Sequence, residues 1–189
     1  MRIKEAIQQS IDVKQNILSN SRLIELIEKV SDKCISSLKA GGKILFCGNG
    51  GSAADAQHLA AELSGRFYFD RDPLNAEALH VNTSFLTAVA NDYSYDEVFA
   101  RSVKAQGKKG DVLIGFSTSG NSQNIVKAFE TAKALDMITI CLTGESGGKM
   151  KSISDFLINV PSTDTPRIQE SHILIGHIIC EIIENRMFK

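Results

Sequence analysis

His58 and Glu62 stand four residues apart in a stretch of helical character that follows Ser52. That spacing puts them on one helix face. Gln169 and His177 are eight apart in a second helical stretch, 167–187, about two turns and so roughly on one flank. A carboxylate near apolar surroundings can take a proton from carbon next to a carbonyl, and an imidazole can pass protons between oxygens. Two histidines, a glutamate and a glutamine could also hold a divalent metal, although Gln is an uncommon zinc ligand. Such a metal would polarise a carbonyl or only order the site. Each pair also has a plainer reading. Glu62 could pair with Arg66 at i+4 on a solvated face, and His177 could be a hydrogen-bonded core histidine in a nearly all-apolar helix. His80, inside a predicted strand, and His172 read as structural. Gly176 beside His177 would let another backbone come close.

Two loops of small residues carry a different chemistry. Ile44-Leu45-Phe46-Cys47 runs into Gly48-Asn49-Gly50-Gly51-Ser52, and Ile114-Gly115-Phe116 runs into Ser117-Thr118-Ser119-Gly120-Asn121-Ser122. Small residues let backbone N–H groups approach an anion, and a helix N-terminus adds partial positive charge. Between Lys109 and Lys127 there is no Lys or Arg, so a phosphate there would be held by neutral donors, which suits a small phosphorylated metabolite. Gly48 to Ala53 formally fits the dinucleotide fingerprint, but no acid stands near Val81-Asn82-Thr83, where a ribose hydroxyl would need one. Gly42-Lys43 precedes a strand and lacks the Ser or Thr of a Walker loop. Both loops could equally be helix caps, with Ser52 and Asn121 as N-cap residues.

The elements that must hold these groups follow from periodicity. Ile3, Ile7 and Ile11 make a helical stripe over 3–18, and Leu23, Ile27, Val30, Cys34 and Leu38 make another over 22–39, stopped by Gly41-Gly42. These two helices either cover one face of a sheet or pack against a partner chain. Apolar runs at 44–47, 78–81, 112–116, 138–142 and 156–160 alternate with helical segments at 83–91, 95–107, 121–135, 147–152 and 167–187. Short buried strands between helices predict a five-stranded parallel sheet in a three-layer α/β sandwich. We expect one domain over 1–189, with helices over 1–40 and the α/β core over 41–189.

Composition narrows the function classes. With 21 Lys+Arg against 22 Asp+Glu, the net charge of -1 leaves no footprint for nucleic acid. There is no signal-peptide pattern and no apolar stretch of membrane-spanning length. Cys34, Cys47, Cys141 and Cys180 are widely spaced, which predicts isolated buried thiols in a reducing cytoplasm. Thirteen of the 14 glycines lie between Gly41 and Gly148, clustered at predicted strand ends and helix stops.

Taken in order, the motifs resemble those of the phosphoheptose isomerases, a family of the sugar isomerase (SIS) domain class. The resemblance rests on 46–52 with Asp55-Ala56-Gln57-His58-Leu59-Ala60-Ala61-Glu62-Leu63, and on Ala90-Asn91-Asp92. It continues through Gly110-Asp111-Val112-Leu113, 117–122, Leu142-Thr143-Gly144, Gly147-Gly148-Lys149-Met150, and Arg167-Ile168-Gln169-Glu170 with His172 and His177. It spans about 40–185, and the N-terminal helices agree in kind only.

The resemblance implies an SIS, flavodoxin-like fold and an aldose–ketose isomerase. It would interconvert sedoheptulose 7-phosphate and D-glycero-D-manno-heptose 7-phosphate through an enediol, toward lipopolysaccharide or capsule heptose. It also implies Glu62 as base and His177 as its acid/base partner, with one zinc on His58, Glu62, Gln169 and His177. Substrate contacts would come from Asn49, Gly50, Gly51, Ser52, Glu62, Asn91, Asp92, Ser117, Thr118, Ser119, Ser122 and Gln169. Homotetramers with N-terminal helices at the assembly core are implied as well. Related proteins of the same fold lack the Glu and His and bind a replication initiator without catalysis. A non-catalytic SIS protein that binds a sugar phosphate or such a partner is therefore the alternative.

Overall fold

Residues 2–189 are described by the structure, a computed structural model. Two helices open the chain, α1 (Arg2–Leu18) and α2 (Ser21–Lys39). Asn20 caps α2 by accepting from the Leu23 N–H at 3.1 Å. Past α2, Gly41 takes φ +79°, a left-handed conformation open to a residue without Cβ, and the chain turns into the sheet. There follow β1 (Ile44–Gly48), α3 (Gly51–Ser64), β2 (Ala76–Ala78), α4 (Thr83–Asp92), a 3₁₀ turn (Tyr95–Glu97) and α5 (Val98–Gln106). The chain continues through β3 (Val112–Ser117), α6 (Gln123–Ala134), β4 (Ile138–Thr143), α7 (Met150–Ile153), β5 (Phe156–Asn159) and α8 (Thr165–Phe188).

All strand pairs are parallel, in the order β2-β1-β3-β4-β5. Alternate residues of each strand serve opposite faces. Ile44, Phe46, Val112 and Ile114 pack with α2, α3 and α8, whereas Leu45, Cys47, Leu113 and Cys141 pack with α4, α5 and α6. This is the predicted three-layer sandwich. The winding reverses between β1 and β3, so the loops leaving those two strands lie side by side. In open α/β sheets that reversal is where a ligand crevice forms.

The two N-terminal helices are placed differently. α2 covers the sheet with Leu23, Ile27, Val30 and Cys34 buried. α1 lies along α8, tied by Arg167 to the Ala6 carbonyl and by Ser10 to Glu170. Its stripe Ile3, Ile7 and Ile11 stays 76%, 56% and 51% exposed in the single chain.

Three local expectations are corrected. The second strand is Ala76–Ala78, not 78–81, and His80 sits in the turn beyond it. Leu79 still donates its N–H to the Phe46 carbonyl of β1 and is buried among α4 and α5 residues, but the chain turns there toward Asn82, which caps α4. Ser52 and Asn121 are not N-caps: α3 starts after Gly50 and α6 after Ser122, neither with a side-chain cap bond. Gly176 admits no second backbone. A Cβ there would run into the side chain of Leu59, so the glycine lets α3 and α8 approach through Leu59.

Candidate active site

The first loop leaves β1 at Gly48 and enters α3 through Gly50, whose φ of +56° belongs to the region glycine favours. Gly48 is packed so closely on the Ser52 carbonyl that a Cβ would overlap it. Gly51 lies against the Gln169 amide, 2.8 Å from where its Cβ would meet Nε2. That contact brings Gln169 of α8 to the start of α3.

The second loop leaves β3 beside the first. The Ser117 hydroxyl is 3.2 Å from that of Ser122, and Ser119 Oγ accepts from the Asn121 N–H. Thr118, Ser119, Gly144, Glu145, Ser162 and Thr165 line a polar cavity of about 280 Å³ next to it. Its lining holds no Lys or Arg, and Glu145 is its one charged residue.

An unforeseen residue joins the two loops. Asn124, buried in the first turn of α6, exchanges amide hydrogen bonds with Asn49: Asn49 Nδ2 donates to Asn124 Oδ1 at 2.9 Å and Asn124 Nδ2 donates back at 2.8 Å. The Tyr95 hydroxyl donates to the same Asn49 oxygen at 3.3 Å. Asn49 is thus largely committed within the protein. A lone Asn at the start of a helix gives no sign of such a role, and its partner is 75 residues away. Asn91 and Asp92 are exposed at the end of α4, hydrogen-bonded to each other, and do not line the cavity.

At the other end of α3, three predicted residues converge. His58 Nε2 is 3.1 Å from Glu62 Oε1 and 2.9 Å from His177 Nε2. One ligand atom from each of His58, Glu62 and His177 lies within 4.8 Å of the others. Glu62 therefore faces His58 and His177, and the plain reading of an Arg66 pair is set aside. Phe67 stacks on the His177 ring at 5.7 Å and 27°. Burial and then His58 push the His177 pKa down, with Glu62 opposing them. Asp55, one turn before His58, has a buried Oδ2 without a partner, and burial raises its pKa to about 6 against the pull of His58. His172 is fully buried: Nε2 meets the Thr143 carbonyl at 3.2 Å, and burial lowers its pKa to about 4. Its structural reading holds.

A five-stranded parallel sheet flanked by helices, with small-residue loops at its reversal point, is the architecture of the SIS domain class, and the His–Glu–His cluster lies between two of its helices. Comparison with known proteins agrees and goes further. The SIS domain profile matches residues 8–144. Phosphoheptose isomerase of Aneurinibacillus thermoaerophilus is 54% identical over 99% of this chain and 94% of its own length. Phosphoheptose isomerase 2 of Campylobacter jejuni is 56% identical over 98% and 92%. Among solved structures, a phosphoheptose isomerase from Neisseria gonorrhoeae superposes with a TM-score of 0.91 at 45% identity, and one from Francisella tularensis with 0.94 at 38%, each over 97% of both chains. The chain belongs to the phosphoheptose isomerase family of SIS domain proteins.

Proposed function

We propose that the protein is an aldose–ketose isomerase that converts sedoheptulose 7-phosphate to D-glycero-D-manno-heptose 7-phosphate for surface heptose synthesis. One observation carries the reading: Glu62 and His177, from helices far apart in sequence, meet at His58 in a chain more than half identical to named phosphoheptose isomerases. A non-catalytic sugar-phosphate or initiator binder has no use for that convergence.

The phosphate would rest against Ser117, Thr118, Ser119 and Ser122, with Gly50, Gly51 and Ser52 presenting the first loop and Gln169 bridging toward the reacting end. Neutral donors and helix N-termini suffice for it. Asn91 and Asp92 would have to reach a substrate that extends beyond the cavity, or one held by a second subunit. Glu62 would take the proton from C1 of the ketose, giving the enediol, and return it at C2. His177 would carry the hydroxyl proton between O1 and O2. Its lowered pKa keeps the ring neutral at pH 7, able to accept at one nitrogen and donate at the other.

His58, Glu62 and His177 are donor types that zinc accepts, and their mutual spacing fits one ion. The resemblance adds Gln169 as a further ligand, whose amide lies against Gly51 at the start of α3. Zinc bound there would polarise the substrate carbonyl. Elemental analysis of protein purified without chelator should find zinc that His58→Ala lacks, and equal metal in both would reject the site.

The exposed stripe Ile3, Ile7 and Ile11 supports a homotetramer built on the N-terminal helices. Light scattering should show a tetramer that Ile7→Lys dissociates, and an unchanged mass would reject that interface. Four buried free thiols support a reducing cytoplasm. Activity is tested by incubating the protein with sedoheptulose 7-phosphate and following the products by NMR. Absence of the aldose would reject the proposed function.

A further inference from the structure

Arg71 and Glu184 form an ion pair almost sealed from water, 3.0 Å from Nε to Oε1, with side chains 2% and 1% exposed. Neither side chain bonds a side chain of the His–Glu–His cluster. Their remaining bonds go to the last turn of α3, which carries Glu62, and to the 65–72 segment that follows it. Arg71 Nη2 donates to the Glu62 carbonyl at 2.8 Å, and Nη1 donates to the carbonyls of Leu63, Gly65 and Asp72. Glu184 accepts from the backbone N–H groups of Phe67 at 2.9 Å and Tyr68 at 2.8 Å. Burial pushes the Glu184 pKa up, but those N–H donors and Arg71 outweigh it and hold the carboxyl below its ordinary value.

The last carbonyls of a helix have no partner within it. At α3 an arginine fork supplies partners where a glycine motif or water would otherwise do so. Glu62 sits in that last turn, so the fork fixes the backbone beneath the proposed base. On α8, Glu184 follows His177 by seven residues, two turns on the same face. Glu184 also holds the segment whose Phe67 ring stacks on His177. The pair therefore joins the end of α3, the 65–72 segment and α8 at one point.

A buried ion pair is a poor source of net stability, since desolvation of two charges cancels much of their attraction. What it supplies is direction: a planar fork of donors that accepts few alternative geometries. We propose that Arg71 and Glu184 are positioning residues, clamping α3 and the Phe67 segment to α8 so that Glu62 and His177 hold their mutual geometry. The link to catalysis rests on the proposed isomerase reading. The geometric part does not.

The test compares Arg71→Lys and Glu184→Gln with Val30→Ala, a fully buried change on α2 that serves as a control for stability loss. Thermal melts, kcat and KM with sedoheptulose 7-phosphate, and the His177 ring signals in histidine-labelled NMR are measured on each. Stacking on Phe67 shifts those ring signals independently of turnover. The expected result is a folded Arg71→Lys whose His177 signals move while those of His172 stay. Its kcat should fall about 10²-fold, the scale of a misplacement near 1 Å, with KM within about threefold. Val30→Ala should lose stability with no change in kcat or in His177. If Arg71→Lys does not fold, the isosteric Glu184→Gln carries the same expectation. Unmoved His177 signals in the folded variants, or the same kcat loss in Val30→Ala, would overturn the proposal. If the wild type shows no turnover while the His177 signals still move, the isomerase reading falls and the clamp stands.

Discussion

At the strand ends, the site is made of short contiguous runs: residues 48–52 and 117–122 supply backbone N–H groups, hydroxyls and two helix starts within a few residues each. At the α3–α8 junction, the groups proposed to react come from positions more than a hundred residues apart and meet only because two helices cross there. The loop end needs little beyond its own sequence to hold an anion. The helix end needs a glycine at 176 for close approach, a phenylalanine against His177, and a sealed ion pair behind Glu62. On the proposed reading, binding is local chemistry and catalysis is tertiary placement, so damage to the two ends should look different.

The largest expected effect is at the helix end. Glu62→Gln keeps size and hydrogen bonding but removes the base, and kcat should fall about 10³-fold or more with little change in KM. Steady-state kinetics with sedoheptulose 7-phosphate checks it, and a near-normal kcat would reduce Glu62 to a partner for His58.

Next comes His172, which shares α8 with His177 but belongs to the loop end through the Thr143 carbonyl. Its pKa drops from 6.5 to about 4 on folding, so between those values the unfolded chain binds a proton that the folded chain does not. Stability is then complete above pH 6.5 and is lost as pH falls toward 4, by about 3 kcal/mol at about 1.4 kcal/mol for each pH unit. Urea unfolding across that range should show a flatter pH profile in His172→Gln. An unaltered profile would mean that other groups set the acid limit.

Asn124→Leu, which breaks the bridge between the loops and leaves the Asn49 amide only its bond from the Tyr95 hydroxyl, should cost about 2 kcal/mol in stability. It should raise KM more than it lowers kcat, and the reverse pattern would blur the division between the two ends. The smallest effect is expected from Ser119→Ala, a loss of one hydroxyl from the anion loop. KM should rise about tenfold, about 1.4 kcal/mol, at nearly constant kcat.

The same division explains what could be read before the fold was known. The alternation of apolar runs with helical stripes was enough for the sheet, because parallel strands buried on both faces leave continuous apolar runs. The loops were legible since their chemistry lies in adjacent residues. His58 and Glu62 were legible as an i,i+4 pair and His177 as a histidine two turns from Gln169, while their separate roles came only with the family resemblance. Arg71, Glu184 and Asn124 were not legible. Each acts through a partner 75 or more residues away, and a lone Arg, Glu or Asn has no period to mark it. Leu79 misled because a residue that closes the ladder and then turns away leaves the same apolar letter as one within the strand.

The central claim is that Glu62 moves a carbon-bound proton, and deuterium exchange tests it most directly. With sedoheptulose 7-phosphate in deuterated water, the wild-type protein should place solvent deuterium at C2 of the aldose product, read by NMR, and Glu62→Gln should place none at the same protein concentration. Deuterium incorporation by Glu62→Gln at the wild-type rate, or none by the wild type while aldose forms, would contradict the account.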